Sequence, residues 1–565
     1  MPPRPPQETT ISLNGTWQLH YRPTAIQGGL ASWQPGTFQT IAAEVPGNVE
    51  CDLMRAGLLP DLAKGNHIFA AIPLEAWQWN YERQFSAPDM DPRGTQRIWL
   101  VFEGVDCLAT VWLNGQRIGT TENMLIPHAF DITDTVVEGE NTLNVCFEPA
   151  VLEGRTYTLP PLDYALPGKW EAQHIRKAAH MYGWDIMPRI VSAGLWRGVT
   201  LEIRNETRFD YVYWATQKVD VENKSATLAV NWQFSTQQHP LYDWKVLVRI
   251  QQGDRLVDEK VCPVSGTRDQ QRIQVDQVDF WWPNGYGDPA LYDVTLRLVD
   301  KQANVLAEDR DRIGVRTIFL KRTESTNDEP GVFVFVVNGV EIYARGTNWV
   351  PLDALHSRDS LHLPAVLPML TDLQCNMVRC WGGNVYEDHD FFNFCDENGI
   401  MVWQDFALAC NRPPQTADFA TKMKQEARTI ILKLRNHPSL ALWCGSNEND
   451  VALGWIGMDW IAPSADVISR QVLPKAVEQH DPYRSYLPSS PYISDQFFHM
   501  HTPRTLLPED HLWGPRGYFK DPFYTATQAR FVSEAGYHGC PSRETLEHML
   551  DAAYVYPWQA DGTWN

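Results

Sequence analysis

Residues 439–450 read SLALWCGSNEND and join an apolar run to a polar end. The run LALWC has the composition of a short strand that is buried on both faces. Asn447 and Glu448 follow it directly, so an amide and a carboxylate stand where this strand ends. Similar apolar runs recur after about residue 319 and alternate with helical patterns, for example over residues 416–437. This alternation predicts a parallel sheet in the last part of the chain.

Seven runs carry the predicted parallel strands, and each ends in polar residues. They are EIYARGTNWVP (341–351), NMVRCWGG (376–383), IMVWQDF (400–406), LALWCGSNE (440–448), RSYLPSS (484–490), FFHMHTP (497–503) and ARFVSEAG (529–536). Seven strands with crossover helices predict a (β/α)8 barrel of the TIM type that lacks its last strand, with a doubly wound open sheet as the alternative. After Glu534 we expect one helix and no eighth strand, and hence a natural chain that extends beyond residue 565.

The first 318 residues show short alternating runs that are broken by Gly, Asn and Asp. Asn114-Gly115 joins two of these runs, which is a strong hairpin signal. The pattern predicts a jelly-roll β-sandwich over residues 1–205 and an immunoglobulin-like β-sandwich over residues 206–318. The predicted barrel then occupies residues 319–565.

Composition excludes several classes of function. A formal net charge of −21 argues against a nucleic-acid partner. No apolar run is long enough for a membrane span, and the first residues do not look like a signal peptide, so we expect a cytoplasmic protein with no membrane partner. The ten cysteines contain no C-x-x-C pair, which favours reduced core thiols over disulfides or zinc. No glycine-rich nucleotide loop is present, and the oligomeric state stays open, a homo-oligomer included.

Two carboxylates and many tryptophans point to sugar chemistry. The carboxyl ends of barrel strands form the active site, and both Glu448 and Glu534 are predicted to lie there. Glycoside hydrolysis needs two such carboxylates, about 5–5.5 Å apart for retention of configuration and about 6.5–9.5 Å apart for inversion. The 23 tryptophans supply rings that stack on sugars. The structural alternatives are salt bridges or helix caps for the carboxylates, and packing of sandwich cores for the tryptophans.

Seven stretches in order resemble glycoside hydrolase family 2, and most closely its β-mannosidases. They are SLNGTWQL (12–19), VPGNVECDLMRAGLLPD (45–61), RKAAHMYGWDIMPRIVSAGLWRGVTLEI (176–203), WWPNGYGDP (281–289), RGTNWVPLDAL (345–355), NMVRCWGGNVYEDHDFFNFCDENGIMVWQDF (376–406) and HPSLALWCGSNEN (437–449). The resemblance covers nearly all of the chain and implies a jelly roll, an immunoglobulin-like sandwich and a catalytic barrel. It also implies a retaining exo-glycosidase that removes terminal β-D-mannose from oligosaccharides or glycosides, with no metal or organic cofactor.

The resemblance assigns roles to the residues that match the family motifs. Glu448 resembles the general acid/base and Glu534 the nucleophile, while Asn447 would bind the sugar 2-hydroxyl. Trp184 and Asp185 match a segment in which the first sandwich reaches the barrel mouth. A core tryptophan beside a turn-capping aspartate is the structural alternative for that pair.

Four further residues complete the predicted site. Arg379 and Trp381 match the second-strand motif and would supply a charge and a ring wall, with a purely structural ion pair as the alternative for Arg379. Trp455 and Trp513 are candidate pocket walls, although rim or core packing explains them equally well. Ala535 stands where the family's mannosidases usually carry an aromatic. This departure leaves β-glucosaminide, β-galactoside and β-glucuronide specificity, or non-catalytic carbohydrate binding, as alternatives.

Overall fold

The structure, a computed structural model, describes residues 9–24, 38–88, 96–160, 162–163, 165, 169–514, 520–536, 539 and 541–555. Three groups of sheets follow one another along these residues. None of the described helices combines the length and the apolar character that a bilayer crossing requires.

The first group is a sandwich of two antiparallel sheets that share one core. Its four-stranded sheet has the order β1-β10-β5-β8, and its six-stranded sheet has the order β3-β2-β4-β9-β6-β7. The predicted hairpin is confirmed, because Asn114 (φ 52°) and Gly115 (φ 78°) connect β6 to β7 in the left-handed conformation of such turns. The elements are β1 (Thr9–Ser12), β2 (Gly15–Pro23), β3 (Gln39–Val45), α1 (Val49–Arg55), β4 (Trp77–Ser86), β5 (Gln96–Phe102), β6 (Ala109–Leu113), β7 (Gln116–Thr121), β8 (His128–Asp131), β9 (Glu140–Phe147), α2 (Ala150–Gly154) and β10 (Val199–Asn205).

The second group is a smaller antiparallel sandwich, as the sequence predicts. A three-stranded sheet of order β11-β12-β15 packs on a four-stranded sheet of order β14-β13-β16-β17 around a common apolar core. The strands are β11 (Arg208–Asp220), β12 (Ser225–Ser235), β13 (Lys245–Gln252), β14 (Arg255–Pro263), β15 (Arg268–Asp276), β16 (Tyr292–Val299) and β17 (Val305–Ile313).

The third group opens with a small antiparallel sheet and continues with parallel strands and helices. Five parallel strands have the order β21-β22-β23-β24-β25, and β26 pairs with β27 in a second parallel sheet. The elements are β18 (Ile318–Arg322), β19 (Phe333–Val337), β20 (Val340–Ile342), β21 (Gly346–Trp349), α3 (Asp359–Asp372), β22 (Met377–Cys380), α4 (His389–Glu397), β23 (Met401–Asp405), α5 (Ala417–Leu434), β24 (Leu440–Cys444), α6 (Asn449–Ala452), α7 (Leu473–His480), β25 (Ser485–Leu487), α8 (Asp495–His499), β26 (Glu509–Leu512), α9 (Phe523–Ala526), β27 (Phe531–Ala535), α10 (Arg543–Met549) and α11 (Ala552–Val555).

One predicted strand is wrong. The run FFHMHTP at 497–503 is not the sixth strand, because its first residues belong to helix α8. Ser494 caps that helix by accepting a hydrogen bond from the Phe497 amide. The sixth parallel strand is instead β26, whose residues are Glu509, Asp510, His511 and Leu512, all buried.

The described residues after β27 form the two short helices α10 and α11 and contain no strand. The sequence predicts one helix and no eighth strand after β27, whereas the structure has two short helices there. The last ten residues, 556–565, lie outside the described part of the chain, so the prediction for them is not tested.

A buried ion pair joins the first sandwich to the parallel-sheet region. The Arg176 guanidinium donates to both carboxylate oxygens of Glu426 on α5, at 2.7 and 2.8 Å, and to the Ala407 carbonyl at 2.9 Å. Asn123 and Tyr386 also donate to the Glu426 carboxylate, each at 2.8 Å. Side chains of both regions share one apolar core around this pair. A buried and hydrogen-bonded ion pair therefore lies at the contact between the two regions.

Replacing Glu426 by Gln leaves the Arg176 charge buried without its counter-charge. We expect the free energy of unfolding to fall by about 3–5 kcal/mol, as for other broken buried ion pairs. Urea denaturation followed by tryptophan fluorescence measures this loss. The matched control is Glu341→Gln, which breaks the exposed 2.8 Å pair with Lys321 and should cost at most about 1 kcal/mol. Equal losses in the two variants would contradict the structural importance of the buried pair.

Candidate active site

A pocket of about 640 Å³ opens at the carboxyl ends of the parallel strands. Eight of the nine predicted site residues line it, and the ninth, Arg379, lies beneath it against Glu534. The eight are Trp184, Asp185, Trp381, Asn447, Glu448, Trp455, Trp513 and Glu534. The pocket therefore gathers residues from the first sandwich and from several parallel strands. The roles predicted for these residues are not tested by their proximity alone.

Local backbone geometry presents Glu448 to the pocket. Strand β24 ends at Cys444, and a Cβ on the following Gly445 would lie only 2.3 Å from the Pro488 carbonyl oxygen, so a side chain does not fit there. Glu448 itself adopts a left-handed conformation (φ 59°) directly before α6. Its amide donates to the Ser490 carbonyl at 2.8 Å. Hydrogen bonding to the end of the neighbouring strand compensates for this uncommon backbone geometry.

Each carboxylate oxygen of Glu448 has a different partner. Oε1 lies 2.9 Å from Nδ1 of His511, and Oε2 lies 3.2 Å from Sγ of Cys410. Burial raises the pKa of the Cys410 thiol well above its ordinary value, so the sulfur keeps its proton and donates it to the carboxylate. Glu448 is thus oriented by a thiol on one side and an imidazole on the other.

Glu534 has stronger donors. The Arg379 guanidinium donates to Oε2 at 2.7 Å, and the indole N–H of Trp513 donates to Oε1 at 2.6 Å. Burial opposes ionisation of this carboxyl, but the charges of His511 and Arg379 and the Trp513 hydrogen bond outweigh burial and lower the pKa of Glu534. Glu534 is therefore held as a carboxylate, which is the form that a nucleophile needs.

His511 lies between the two carboxylates. One oxygen from each glutamate and a ring nitrogen of His511 all lie within 4.8 Å of one another. Burial disfavours a charged imidazole, but Glu534 and Glu448 outweigh burial and raise the pKa of His511. This triad also has the donor types of a metal site. The Arg379 guanidinium already supplies positive charge beside Glu534, so we interpret the triad as acid–base machinery.

Asn447 is fixed by the same arginine. Its Oδ1 accepts from the second Arg379 terminal nitrogen at 2.8 Å, and that nitrogen also donates to Asp405 at 2.7 Å. The Asn447 Nδ2 lies 3.5 Å from Oε2 of Glu448 and 3.5 Å from Sγ of Cys410. Since Oδ1 is engaged by the guanidinium, the amide presents its N–H groups to the pocket.

The first sandwich closes one side of the pocket. The rings of Trp184 and Trp381 meet edge to face with centroids 5.0 Å apart. The Lys169 ammonium lies 3.4 Å from the Trp184 ring centroid, and burial lowers the pKa of Lys169 to about 8. One face of the Trp184 indole is therefore covered by a cation, and its edge contacts the Trp381 ring.

Sequence reasoning missed His511, Cys410 and Lys169. His511 precedes Trp513 by two residues, and alternation along a strand places both on one face, which was a usable signal. Three of the four residues of EDHL (509–512) are polar, so the composition of this run does not indicate a buried strand. Cys410 and Lys169 lie in loops, where no periodic pattern marks them.

Two family models match successive parts of the chain. Residues 22–197 match a model described as glycosyl hydrolase 2 galactose-binding domain-like, and residues 207–316 match a model described as glycosyl hydrolases family 2. The chain belongs to glycoside hydrolase family 2. Both matches fall on the two sandwiches, so the family assignment is independent of the pocket geometry.

Relatives of this family 2 chain agree with the assignment. A β-mannosidase B of Emericella nidulans is 29% identical over 539 residues, covering 91% of this chain, and a Bos taurus β-mannosidase is 29% identical over 572 residues, covering 96%. The crystal structure of a β-D-mannosidase from Dictyoglomus thermophilum superposes with a TM-score of 0.84 at 30% identity, over 96% of this chain. The chain spans 62% of the length of the first two relatives and 65% of the third.

Replacing Trp513 by Phe removes the indole N–H and keeps an aromatic ring. We expect the pKa of Glu534 to rise, because a donor to the ionised carboxylate is lost. A ¹³C NMR titration of labelled glutamate carboxyls measures this shift, with Glu534→Gln to assign the signal. Trp455→Phe, at another tryptophan that lines the pocket, is the control and should leave the titration of Glu534 in place. A midpoint that is unchanged in Trp513→Phe would contradict the assigned hydrogen bond.

Proposed function

We propose that this chain carries the catalytic site of a retaining exo-β-mannosidase, which removes terminal non-reducing β-D-mannose from oligosaccharides or glycosides. The observation that carries the proposal is the short distance between the Glu448 and Glu534 carboxylates, which have oxygens within 4.8 Å of each other. These nearest oxygens are compatible with the about 5–5.5 Å separation of carboxyl groups in a retaining enzyme, and membership of family 2 also supports retention. The β-mannosidase relatives support the choice of sugar.

In the first step, Glu534 attacks the anomeric carbon while Glu448 gives a proton to the leaving oxygen. Arg379 and Trp513 keep Glu534 ionised until attack. The bond from the sugar to its leaving group breaks as the bond from the sugar to the Glu534 oxygen forms. Burial of the carboxylates makes the surrounding fixed dipoles more effective than water would be.

In the second step, water replaces Glu534 on the sugar. Glu448, now ionised, accepts a proton from this water, and Glu534 leaves as a carboxylate. The negative charge of Glu534 returns beside Arg379 and His511, which stabilise it. Glu534 thus loses its charge in the first step and regains it in the second, while Arg379 stays charged beside it.

Asn447 is suited to hold the 2-hydroxyl of the sugar. Its oxygen is engaged by Arg379, so its N–H groups are the ones available to the substrate. A hydrogen bond to the 2-hydroxyl that strengthens as the ring becomes oxocarbenium-like contributes to the rate. Asp185 and Trp184 would bind the far end of the same sugar and restrict the pocket to a terminal residue.

A β-glucuronide is the second candidate substrate. A sugar acid calls for basic groups in the pocket, and Lys169 and Arg504 both line it. Arg504 is already paired with Asp510 at 3.1 Å, and Lys169 lies over the Trp184 ring. Both cations are therefore partly engaged, which favours the mannoside.

We further propose that residues 319–565 form a (β/α)8-type barrel, preceded by domains at 1–205 and 206–318. Seven parallel strands and their helices support this arrangement. The Asn348 side chain on β21 donates to the Ser533 carbonyl on β27 at 3.0 Å, so the first and seventh strands lie close together. A site at the carboxyl ends of the strands is the usual position in such barrels.

A panel of p-nitrophenyl glycosides tests the proposed activity. We expect cleavage of the β-mannoside, loss of turnover in Glu534→Gln, and a loss on the order of 10²–10⁴-fold in Glu448→Gln, because general acid–base catalysis is removed. Glu341→Gln, at an exposed residue outside the pocket, is the matched control. ¹H NMR of the first product should show the β-anomer.

Three results would contradict parts of this proposal. Release of the α-anomer would exclude retention. Cleavage of the β-glucuronide instead of the β-mannoside would favour the second candidate. A folded chain that cleaves no glycoside would leave carbohydrate binding as the function of the pocket.

A further inference from the structure

A chain of buried hydrogen bonds continues behind His511, away from the pocket. The Nε2 atom of His511 lies 2.9 Å from Oγ of Ser490, and that hydroxyl donates to Oε1 of Glu509 at 2.7 Å. The hydroxyl of Ser533 donates to the same Glu509 oxygen. All four residues are buried, with exposures of 8% or less. The proposed two-carboxylate mechanism does not use Ser490, Glu509 or Ser533.

The direction of these bonds determines which nitrogen of His511 keeps a proton. Oε1 of Glu509 accepts from both serines, so the single hydroxyl proton of Ser490 is used towards Glu509. The Ser490 oxygen can then only accept from His511, which requires a proton on Nε2. The Nδ1 atom of His511 is left to exchange a proton with Oε1 of Glu448.

We propose that Glu509, through Ser490, is a positioning group that fixes the Nε2–H form of His511, and that Nδ1 of His511 stores the proton used by Glu448. This inference rests on the proposed glycosidase function and adds a proton source to it. In other catalytic acid–base pairs, a third group likewise fixes the tautomer of the histidine by a hydrogen bond.

The proton balance closes over one cycle. In the first step, the Nδ1–H proton of His511 moves to the Glu448 carboxylate, which gives a proton to the leaving oxygen and is ionised again. His511 is then a neutral imidazole with its proton on Nε2. In the second step, the proton from the attacking water passes through Glu448 back to Nδ1. No group other than substrate, water and these two side chains gains or loses a proton.

The charged groups around His511 suit this storage role. Glu448 and Glu534 face Nδ1 at 2.9 and 3.5 Å, and Glu509 faces Nε2 at 3.8 Å. Arg379, on β22, is a cation that opposes protonation of His511. When Glu534 is esterified by the sugar, one of the two anions beside Nδ1 disappears. The stored proton is then held less tightly, at the stage when Glu448 passes a proton to the leaving oxygen.

The first test does not need turnover. Labelling the protein with ¹⁵N-histidine and recording ring-nitrogen NMR shifts reports the tautomer of His511, assigned with His511→Gln. In the unaltered chain we expect neutral His511 to carry its proton on Nε2. In Ser490→Ala we expect a mixture of both tautomers. Glu509→Gln keeps the accepting oxygen and should retain the Nε2–H form. The same mixture in the unaltered chain would overturn the proposal, whether or not a glycoside is cleaved.

The second test uses leaving groups of different quality. With Ser490→Ala, we expect kcat/KM for a methylumbelliferyl β-mannoside to fall on the order of tenfold or more, because proton donation is impaired. A 2,4-dinitrophenyl β-mannoside needs no proton and should be cleaved at an almost unchanged rate. The basic limb of the kcat/KM profile should move to lower pH in the same variant.

Ser489→Ala is the matched control. Ser489 is an adjacent buried serine whose hydroxyl contacts only the Asp450 amide, at 3.4 Å, among the described bonds. The Ser489→Ala variant should show the same dependence of kcat/KM on the leaving group, and the same pH profile, as the unaltered chain. An equal loss for both leaving groups in Ser490→Ala, with an unchanged pH profile, would show a merely structural role and overturn the proposal. Failure of the proposed function itself would instead appear as no cleavage by any form of the chain.

Discussion

The guanidinium of Arg379 is the interaction on which the site depends. It is buried and donates to side chains from four strands or strand ends, namely Asn348, Asp405, Asn447 and Glu534. A buried charge is tolerated only when partners satisfy it, so folding of the parallel-strand region must bring these four groups together. The hydrogen bonds that compensate for the burial of Arg379 therefore also position Glu534, the proposed nucleophile, and Asn447, the proposed hydroxyl-binding amide.

The two carboxyl groups of the pocket differ because their neighbours differ. Glu534 contacts a guanidinium and an indole N–H, and these favour its charged form. Glu448 contacts a thiol and the imidazole of His511, which are weaker and exchangeable partners. Pairs of titratable groups in contrasting surroundings take opposite acid–base roles. The difference between the two glutamates thus follows from the neighbours that each one meets at the end of its strand.

The sequence was sufficient for the sandwiches, the parallel strands with apolar cores and most of the pocket residues, because periodicity and strand ends mark them. It was insufficient for β26, since Glu509 and His511 are polar yet fully buried. Their burial depends on Ser490 and Ser533, which lie at other strands and cannot be matched to them by local pattern. Local periodicity does not show which polar residues form hydrogen bonds with partners far away in the sequence. The same limit hid the contact between Cys410 and Glu448.

The position of Trp184 and Asp185 has a consequence for affinity. They belong to the first sandwich, whereas the carboxylates belong to the parallel strands, so only chains in which the two regions are docked offer a complete pocket. The apparent affinity for the substrate is proportional to the fraction of chains in which the two regions are docked, because only those chains have a complete pocket. By the same linkage, a bound sugar holds the two regions together. The contact between Arg176 and Glu426 is in this sense a remote determinant of substrate binding.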